Sequence, residues 1–175
     1  MDPLRVAILT VSDGVAAGTR EDRSGAAVAA WCDARGHARV RHDVVPDDAV
    51  AVSRALLDLA DADAADLVIT TGGTGFTARD VTPEATAAVL DRNAPGVAEA
   101  IRARGAAATR YAWLSRGIAG IRGRTLVVNL PGSEGGVRDG LAVLDDLAVH
   151  AVQLLRGVDT ATHPEAGAAR ADAHG

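Results

Sequence analysis

Six consecutive residues, Thr70-Thr71-Gly72-Gly73-Thr74-Gly75, hold the sharpest chemical feature of the chain. Glycines lack a Cβ, so they can turn several backbone N–H groups toward one point, which suits a phosphate oxygen. The same residues also describe a tight strand-exit turn that binds nothing, and local sequence leaves both readings open. Two familiar phosphate loops do not fit. No Gly-Lys-Ser/Thr follows, so this is not a Walker A loop. Gly73 to Ala78 superficially matches a dinucleotide fingerprint, but that fingerprint belongs on the first strand and opens a helix at once. Here Pro83 delays the helix.

Carboxylates come next. Asp13, Asp22, Asp47 and Asp80 fall on loops, whereas Asp58, Asp61 and Asp63 fall on a helical face. A solvated charge or a helix cap is the ordinary role of such an acid. Asp47 follows Pro46 and can cap the next helix, and Asp80 can simply belong to a turn. Loop carboxylates are also what Mg²⁺ needs beside substrate phosphates, since it takes oxygen ligands. Ser115 and Ser133 sit in Gly- and Pro-flanked loops, where a hydroxyl reaches a ligand or the local backbone. Gly-x-Ser-x-Gly is absent and Ser115 has no nearby Asp–His partner, which argues against a serine hydrolase. His37, His42, His150, His163 and His174 show no metal-site spacing, and His150 reads as a helix-face residue. Cys32, the only cysteine, allows neither an intrachain disulfide nor a thiolate zinc site. Beside Trp31 on a helix, it is expected to be a buried apolar filler.

The elements that must position these groups follow from periodicity. Leu4 to Val11 reads as a buried strand ending at Ser12-Asp13-Gly14. An Ala-rich helix starts after Asp22-Arg23-Ser24-Gly25 and stops near Gly36. Val40 to Val45 is a second strand, closed by Pro46-Asp47-Asp48, and Val52, Leu56 and Leu59 mark a helix. Leu67-Val68-Ile69 is a third strand that runs into the glycine loop. Thr82-Pro83-Glu84 predicts a helix start, with Thr82 as cap and Pro83 at the first position. A helix over about Val97 to Arg104 precedes the strand Leu126-Val127-Val128. That strand ends in Asn129-Leu130-Pro131-Gly132-Ser133. Val137, Leu141, Leu144, Ala148, Ala151 and Leu155 mark the last helix. The alternation predicts a single α/β domain, with a mostly parallel sheet and helices on both faces. Ligands of such sheets bind beyond the carboxyl ends of the strands, where these polar loops converge. Residues 1–157 are expected to form the domain and 158–175 a loose tail.

Composition limits the partners. The 175 residues fit one domain able to bury ~70% of its unfolded surface. The core must be built from small side chains, because Phe76, Tyr111, Trp31 and Trp113 are the only aromatics. Such a subunit gains by burying a further face against copies of itself. The net charge is -5 and every one of the 18 basic residues is arginine. An acidic chain without basic runs argues against nucleic acid. The missing lysine argues against P-loop kinases, Schiff-base enzymes and lysine bases. Met1-Asp2-Pro3 leads into a strand rather than a signal peptide. Nothing reaches the ~20 apolar residues of a membrane span. The expectation is a cytoplasmic protein.

Seven segments taken in order are more specific. Val11-Ser12-Asp13, Asp22-Arg23-Ser24-Gly25, Val45-Pro46-Asp47, the run from Thr70 to Thr86, Leu114-Ser115-Arg116, Gly120-Ile121-Arg122-Gly123 and Asn129 to Ser133 resemble the MogA/MoaB family. The likeness runs from about residue 4 to 157. It implies a homotrimeric domain of molybdenum-cofactor biosynthesis that binds molybdopterin. In active members the domain transfers AMP from ATP, with Mg²⁺, to the terminal phosphate of molybdopterin. The resemblance gives the catalytic and metal-binding role to Asp47 and Asp80. It gives substrate and nucleotide contacts to Ser12, Asp13, Asp22, Gly72, Gly73, Thr74, Gly75, Ser115, Pro131, Gly132 and Ser133. Other enzymes of the cofactor pathway are candidate partners. Two alternatives stand beside it: a non-catalytic pterin-binding trimer, and a competence-damage nucleotide hydrolase. The latter's glycine loop typically leads into a different acidic segment.

Overall fold

Three apolar runs, each too short for a helix, form the centre of the molecule. In the computed structural model, which describes residues 3–61 and 64–157, they are β1 (Arg5–Val11), β3 (Leu67–Thr71) and β6 (Thr125–Leu130). With β2 (Ala38–Val45), β5 (Ala119–Arg122) and β4 (Arg92–Asn93) they make one sheet in the order β2-β1-β3-β6-β5-β4. The first four strands are parallel, and β5 and β4 join antiparallel at the edge. Side chains alternate between the faces, as a pleated strand requires. Val6, Ile8, Leu67, Ile69, Leu126, Val128 and Leu130 enter one core, and Ala7, Leu9, Val68 and Val127 the other. Both faces are covered, so the strands read as unbroken apolar runs.

Helices α2 (Arg23–Arg35), α5 (Pro95–Ala106) and α6 (Glu134–Leu155) cover the first face. Helices α3 (Ala49–Asp61) and α4 (Thr82–Ala87) cover the second. A one-turn helix, α1 (Asp13–Ala16), follows β1, and a 3₁₀ turn spans Arg110–Leu114. The expected Ala-rich helix is α2, which ends on Gly36 with φ 69°, a left-handed cap that glycine adopts without strain. The expected mostly parallel sheet is present, with β4 and β5 as antiparallel additions the periodicity does not reveal. One expectation needs correction. Thr82 does not cap α4, because its hydroxyl donates instead to the Gly72 carbonyl at 2.9 Å. Asp63, His163, His174 and the tail from residue 158 lie outside the described residues.

Asp66 ties the N-terminal end of the sheet together. Its buried carboxylate accepts from the Arg5 amide and guanidinium, each at 2.8 Å, and from Arg156 at the end of α6. Burial opposes its charge, but the bonds from Arg5 and Arg156 outweigh it and hold the carboxyl well below the usual range. An unfolded aspartate titrates near ~3.9. The ionised form therefore stabilises the fold above that pH, and its contribution drains away as pH falls toward the folded value. Asp66→Asn is expected to cost about 2 kcal/mol at neutral pH. It should also flatten the loss of melting temperature below about pH 4, measured by circular dichroism.

Cys32 is fully buried in the first core, and burial pushes its thiol up to about 11. A thiolate is the reactive form. Disulfide reagents are expected to label the native protein at least ~100-fold more slowly than the denatured chain at neutral pH. Equal rates would refute the packing.

Candidate functional site

Four strands of the parallel region end side by side, and their exits build one edge. β1 leads to Ser12-Asp13, β2 to Pro46-Asp47, β3 to Gly72-Gly73, and β6 to Pro131-Gly132-Ser133. The glycine loop is fixed from below. Gly72 and Gly73 have φ of 93° and 63°, and a Cβ on Gly72 would run into the Val11 carbonyl oxygen. Gly132 packs against it in turn, since a Cβ there would lie 3.3 Å from the Gly72 Cα. Thr82 completes the seat: its amide donates to the Gly73 carbonyl at 3.1 Å while its hydroxyl holds Gly72.

The two acids singled out by the sequence lean over this loop. A Cβ on Gly73 would fall 3.2 Å from Asp47 Oδ1, and one on Gly75 would fall 3.0 Å from Asp80 Oδ2. At Gly73 the positive φ and a clash with Thr82 Oγ1 both select glycine, and beside each carboxylate the fit is tight. Asp80 Oδ2 accepts from the Thr77 amide at 2.8 Å. Burial works against its charge, but bonds from Thr77 and Gly75, with Arg116 nearby, keep the carboxyl below its usual range.

Two adjoining clefts open here where the sequence suggests a single pocket. The first, about 620 Å³, is lined by Ser12, Arg20, Arg23, Asp47, Gly72 and Glu134 among others. The second, about 610 Å³, is more apolar, with Thr74, Gly75, Ile101, Tyr111, Leu114, Ser115 and Pro131 in its wall. Gly73, Asp80, Gly132 and Ser133 line both. Ser12 and Ser133 each have a second task, accepting from Val15 and Gly136 as caps of α1 and α6.

Asp13 and Asp22 line neither cleft. Asp22 caps α2 through the Gly25 amide at 2.7 Å and meets Thr10 Oγ1 at 2.6 Å and His42 Nε2 at 3.0 Å. Asp13 exchanges bonds with Asp47: its amide donates to Asp47 Oδ2 at 2.8 Å, and its Oδ1 accepts from the Asp47 amide at 3.0 Å. Both carboxylates are thus engaged by neighbouring groups outside the clefts.

Sequence reasoning misses the arginines. Arg20 and Arg23 bring positive charge to the first cleft. Arg23 reaches Glu21 and Glu134 only at 3.4 and 3.8 Å, and Arg20 makes no ion pair among the described residues. Arg116 donates Nε to the Gly75 carbonyl at 2.6 Å, bonds the Asp80 carbonyl, and pairs with Glu84. It clamps the loop between the clefts. Its only signal in the sequence is its place beside Ser115.

Among the described residues no three His, Cys, Asp or Glu side chains gather as a self-sufficient metal cage. What the cleft offers is carboxylate oxygen from Asp47 and Asp80 beside room for phosphate. That donor set fits Mg²⁺, which is commonly held by one or two carboxylates with substrate phosphates and water completing its shell.

A family model described as a probable molybdopterin binding domain matches residues 7–150. The molybdopterin adenylyltransferase of Escherichia coli K12 is 33% identical, over 97% of this chain and 94% of that protein. The cofactor synthesis protein cinnamon of Drosophila melanogaster is 36% identical, over 89% of this chain and 26% of that protein. A bifunctional cofactor biosynthesis protein of Synechococcus elongatus is 38% identical, over 89% of this chain and 48% of that protein. The chain thus spans half or less of these two longer relatives. The MoaB structure from Thermus thermophilus superposes with TM-score 0.83 at 43% identity, covering 88% of this chain and 97% of that one. The Mog protein of Mycobacterium ulcerans gives 0.81 at 45%, covering 86% and 98%. CinA from Thermoplasma acidophilum, at 19% identity and TM-score 0.61 over 85% and 98%, shares the fold alone. The chain belongs to the molybdopterin-binding family and is a protein of molybdenum-cofactor biosynthesis.

Proposed function

We propose that this protein transfers AMP from ATP to the terminal phosphate of molybdopterin, with release of pyrophosphate. The observation that carries the reading is the pair of clefts meeting at Gly73, Asp80, Gly132 and Ser133. Two separate substrates can each occupy one cleft and present their phosphates at the shared wall. A phosphate oxygen of the pterin attacks the α-phosphorus, a new P–O bond forms, and the α–β bond breaks. Phosphate is nucleophilic at neutral pH, so the site needs no strong base, and none lines the shared wall. Positioning and charge neutralisation supply the rate.

In this reading Asp47 and Asp80 hold Mg²⁺, which offsets the charge of the triphosphate and of the departing pyrophosphate. The glycine loop presents backbone N–H groups, with Thr82 and Arg116 keeping it in place. Arg20 and Arg23, which also line the first cleft, supply positive charge for the phosphates. Ser12, Ser115 and Ser133 offer hydroxyls to the ligands, while Asp13 and Asp22 act through their neighbours. The proposed unit is residues 1–157, working in the cytoplasm.

Incubation with molybdopterin, ATP and Mg²⁺ is expected to yield adenylylated pterin, detected by chromatography. Asp47→Asn and Asp80→Asn keep the acceptors for the Asp13 and Thr77 amides but lose the charge. Each is expected to slow transfer about 100-fold or more while pterin affinity changes little. If these acids serve only as local caps, the Asn variants, which keep those acceptors, will retain both stability and activity. A wild-type protein that binds pterin yet forms no product would make it a binding module.

We also propose a homotrimer. Small side chains limit the core, and Leu147 and Leu154, seven residues apart on one side of α6, remain exposed. Light scattering at micromolar concentration is expected to give three times the chain mass. A monomer mass would refute it.

A further inference from the structure

Asp47 and Asp80 stand on different strand exits and are joined along the chain only through α3 and β3. A shorter connection runs through space. Arg79, the residue before Asp80, reaches across to Asp13 with a two-pronged ion pair, Nη2 to Oδ1 at 2.8 Å and Nε to Oδ2 at 3.1 Å. Asp13 in turn holds the amide and the carboxylate of Asp47 by the two reciprocal bonds described above. On its other side Asp80 is fixed by the Thr77 amide and by Arg116.

We propose that Arg79 and Asp13 are a positioning pair that sets the separation of Asp47 and Asp80, and thereby the affinity of the site for a metal-bound triphosphate. The inference rests on the assignment of Asp47 and Asp80 made above. Stability does not account for the pair. The Arg79 and Asp13 side chains are 63% and 49% exposed, and exposed ion pairs contribute little to folding. What a forked guanidinium–carboxylate pair adds over a simple contact is fixed geometry. Neither residue lines a cleft, so substrate contact does not account for the pair either.

Electrostatics and positioning predict different signs. If the two residues acted only through their charge, Arg79→Gln would weaken binding of a polyanion and Asp13→Asn would strengthen it. If they position the acids, both substitutions weaken binding of the metal complex. The double variant is then no worse than either single one, because the same connection is broken once.

The experiment is titration calorimetry of the full chain with ATP, in Mn²⁺ and in chelator, on wild type, Arg79→Gln, Asp13→Asn and the double variant, with melting temperatures on the same samples. Each single variant is expected to weaken Mn²⁺–ATP binding about tenfold, and the double variant by the same factor. Binding in chelator should shift less than about twofold and the melting temperature hardly at all. Multiplying effects, tighter binding by Asp13→Asn, or unchanged Mn²⁺–ATP affinity would overturn the positioning role. Equal losses with and without metal would do the same, and would make Arg79 a direct phosphate contact. If wild type binds ATP no better with Mn²⁺ than in chelator, the metal assignment of Asp47 and Asp80 fails first, and this inference with it.

Discussion

The side-chain amide of Asn129 is the interaction on which the geometry of the site depends. It lies buried on β6, where an unpaired amide would carry a heavy desolvation cost. Each of its bonds goes to a different segment: Nδ2 donates to Thr70 Oγ1 on β3 at 2.9 Å and to Thr86 Oγ1 on α4 at 3.0 Å. Oδ1 accepts from the Ile118 amide at 3.2 Å. The Thr86 hydroxyl donates in turn to the Thr82 carbonyl, and the Thr82 hydroxyl donates to the Gly72 carbonyl. The glycine loop is thereby linked to the centre of the sheet by an unbroken chain of hydrogen bonds. Low dielectric makes such a network strong when satisfied and costly when broken, which gives a loop the precision of a core.

Small residues allow that network to close. A Cβ on Gly140 of α6 would strike the Leu130 side chain, and one on Gly120 of β5 would strike Leu90. Helix and sheet therefore approach closely just before β6 delivers Pro131-Gly132-Ser133 to the shared wall. The same economy limits the apolar area each residue buries. Large apolar side chains remain exposed, and they include Tyr111 and Leu114 in the wall of the second cleft.

The parts of this architecture legible in the sequence are those with a local cause. β1, β3 and β6 read clearly because both of their faces are covered, and α6 because its buried positions recur at helical spacing. β4 and β5, of two and four residues, are too short to show a period. The exits that carry Ser12, Asp47, Gly72 and Ser133 are legible from topology alone, since parallel strands place their ends together. Which acids line a cleft is not legible. Asp13 and Asp47 both follow strands, yet only Asp47 lines a cleft, and reciprocal bonds tie Asp13 to it from outside. Thr82 has the sequence of a cap, but a tertiary acceptor at Gly72 competes for its hydroxyl and wins. The second cleft stays hidden because α5 and the 3₁₀ turn, distant in sequence from the glycine loop, supply much of its wall.

The balance of charge in the first cleft bears on the proposed chemistry. Glu21, Asp47, Asp80 and Glu134 outnumber Arg20 and Arg23 along its wall. A bare triphosphate entering this surface meets net repulsion, and partial burial strengthens it relative to bulk water. In the proposed reading a triphosphate that carries a divalent cation meets the opposite field, because Asp47 and Asp80 would then complete the cation's oxygen shell. Carboxylates that would exclude the nucleotide alone thus favour it with its metal. The arginines remain available for phosphate oxygens the metal does not reach. On that proposal, discrimination against metal-free anions and charge neutralisation during transfer would arise from the same pair of acids. On the same proposal their value would depend on spacing, and the bonds that bear on it, from Arg79 to Asp13 and from Asp13 to Asp47, lie outside the cleft.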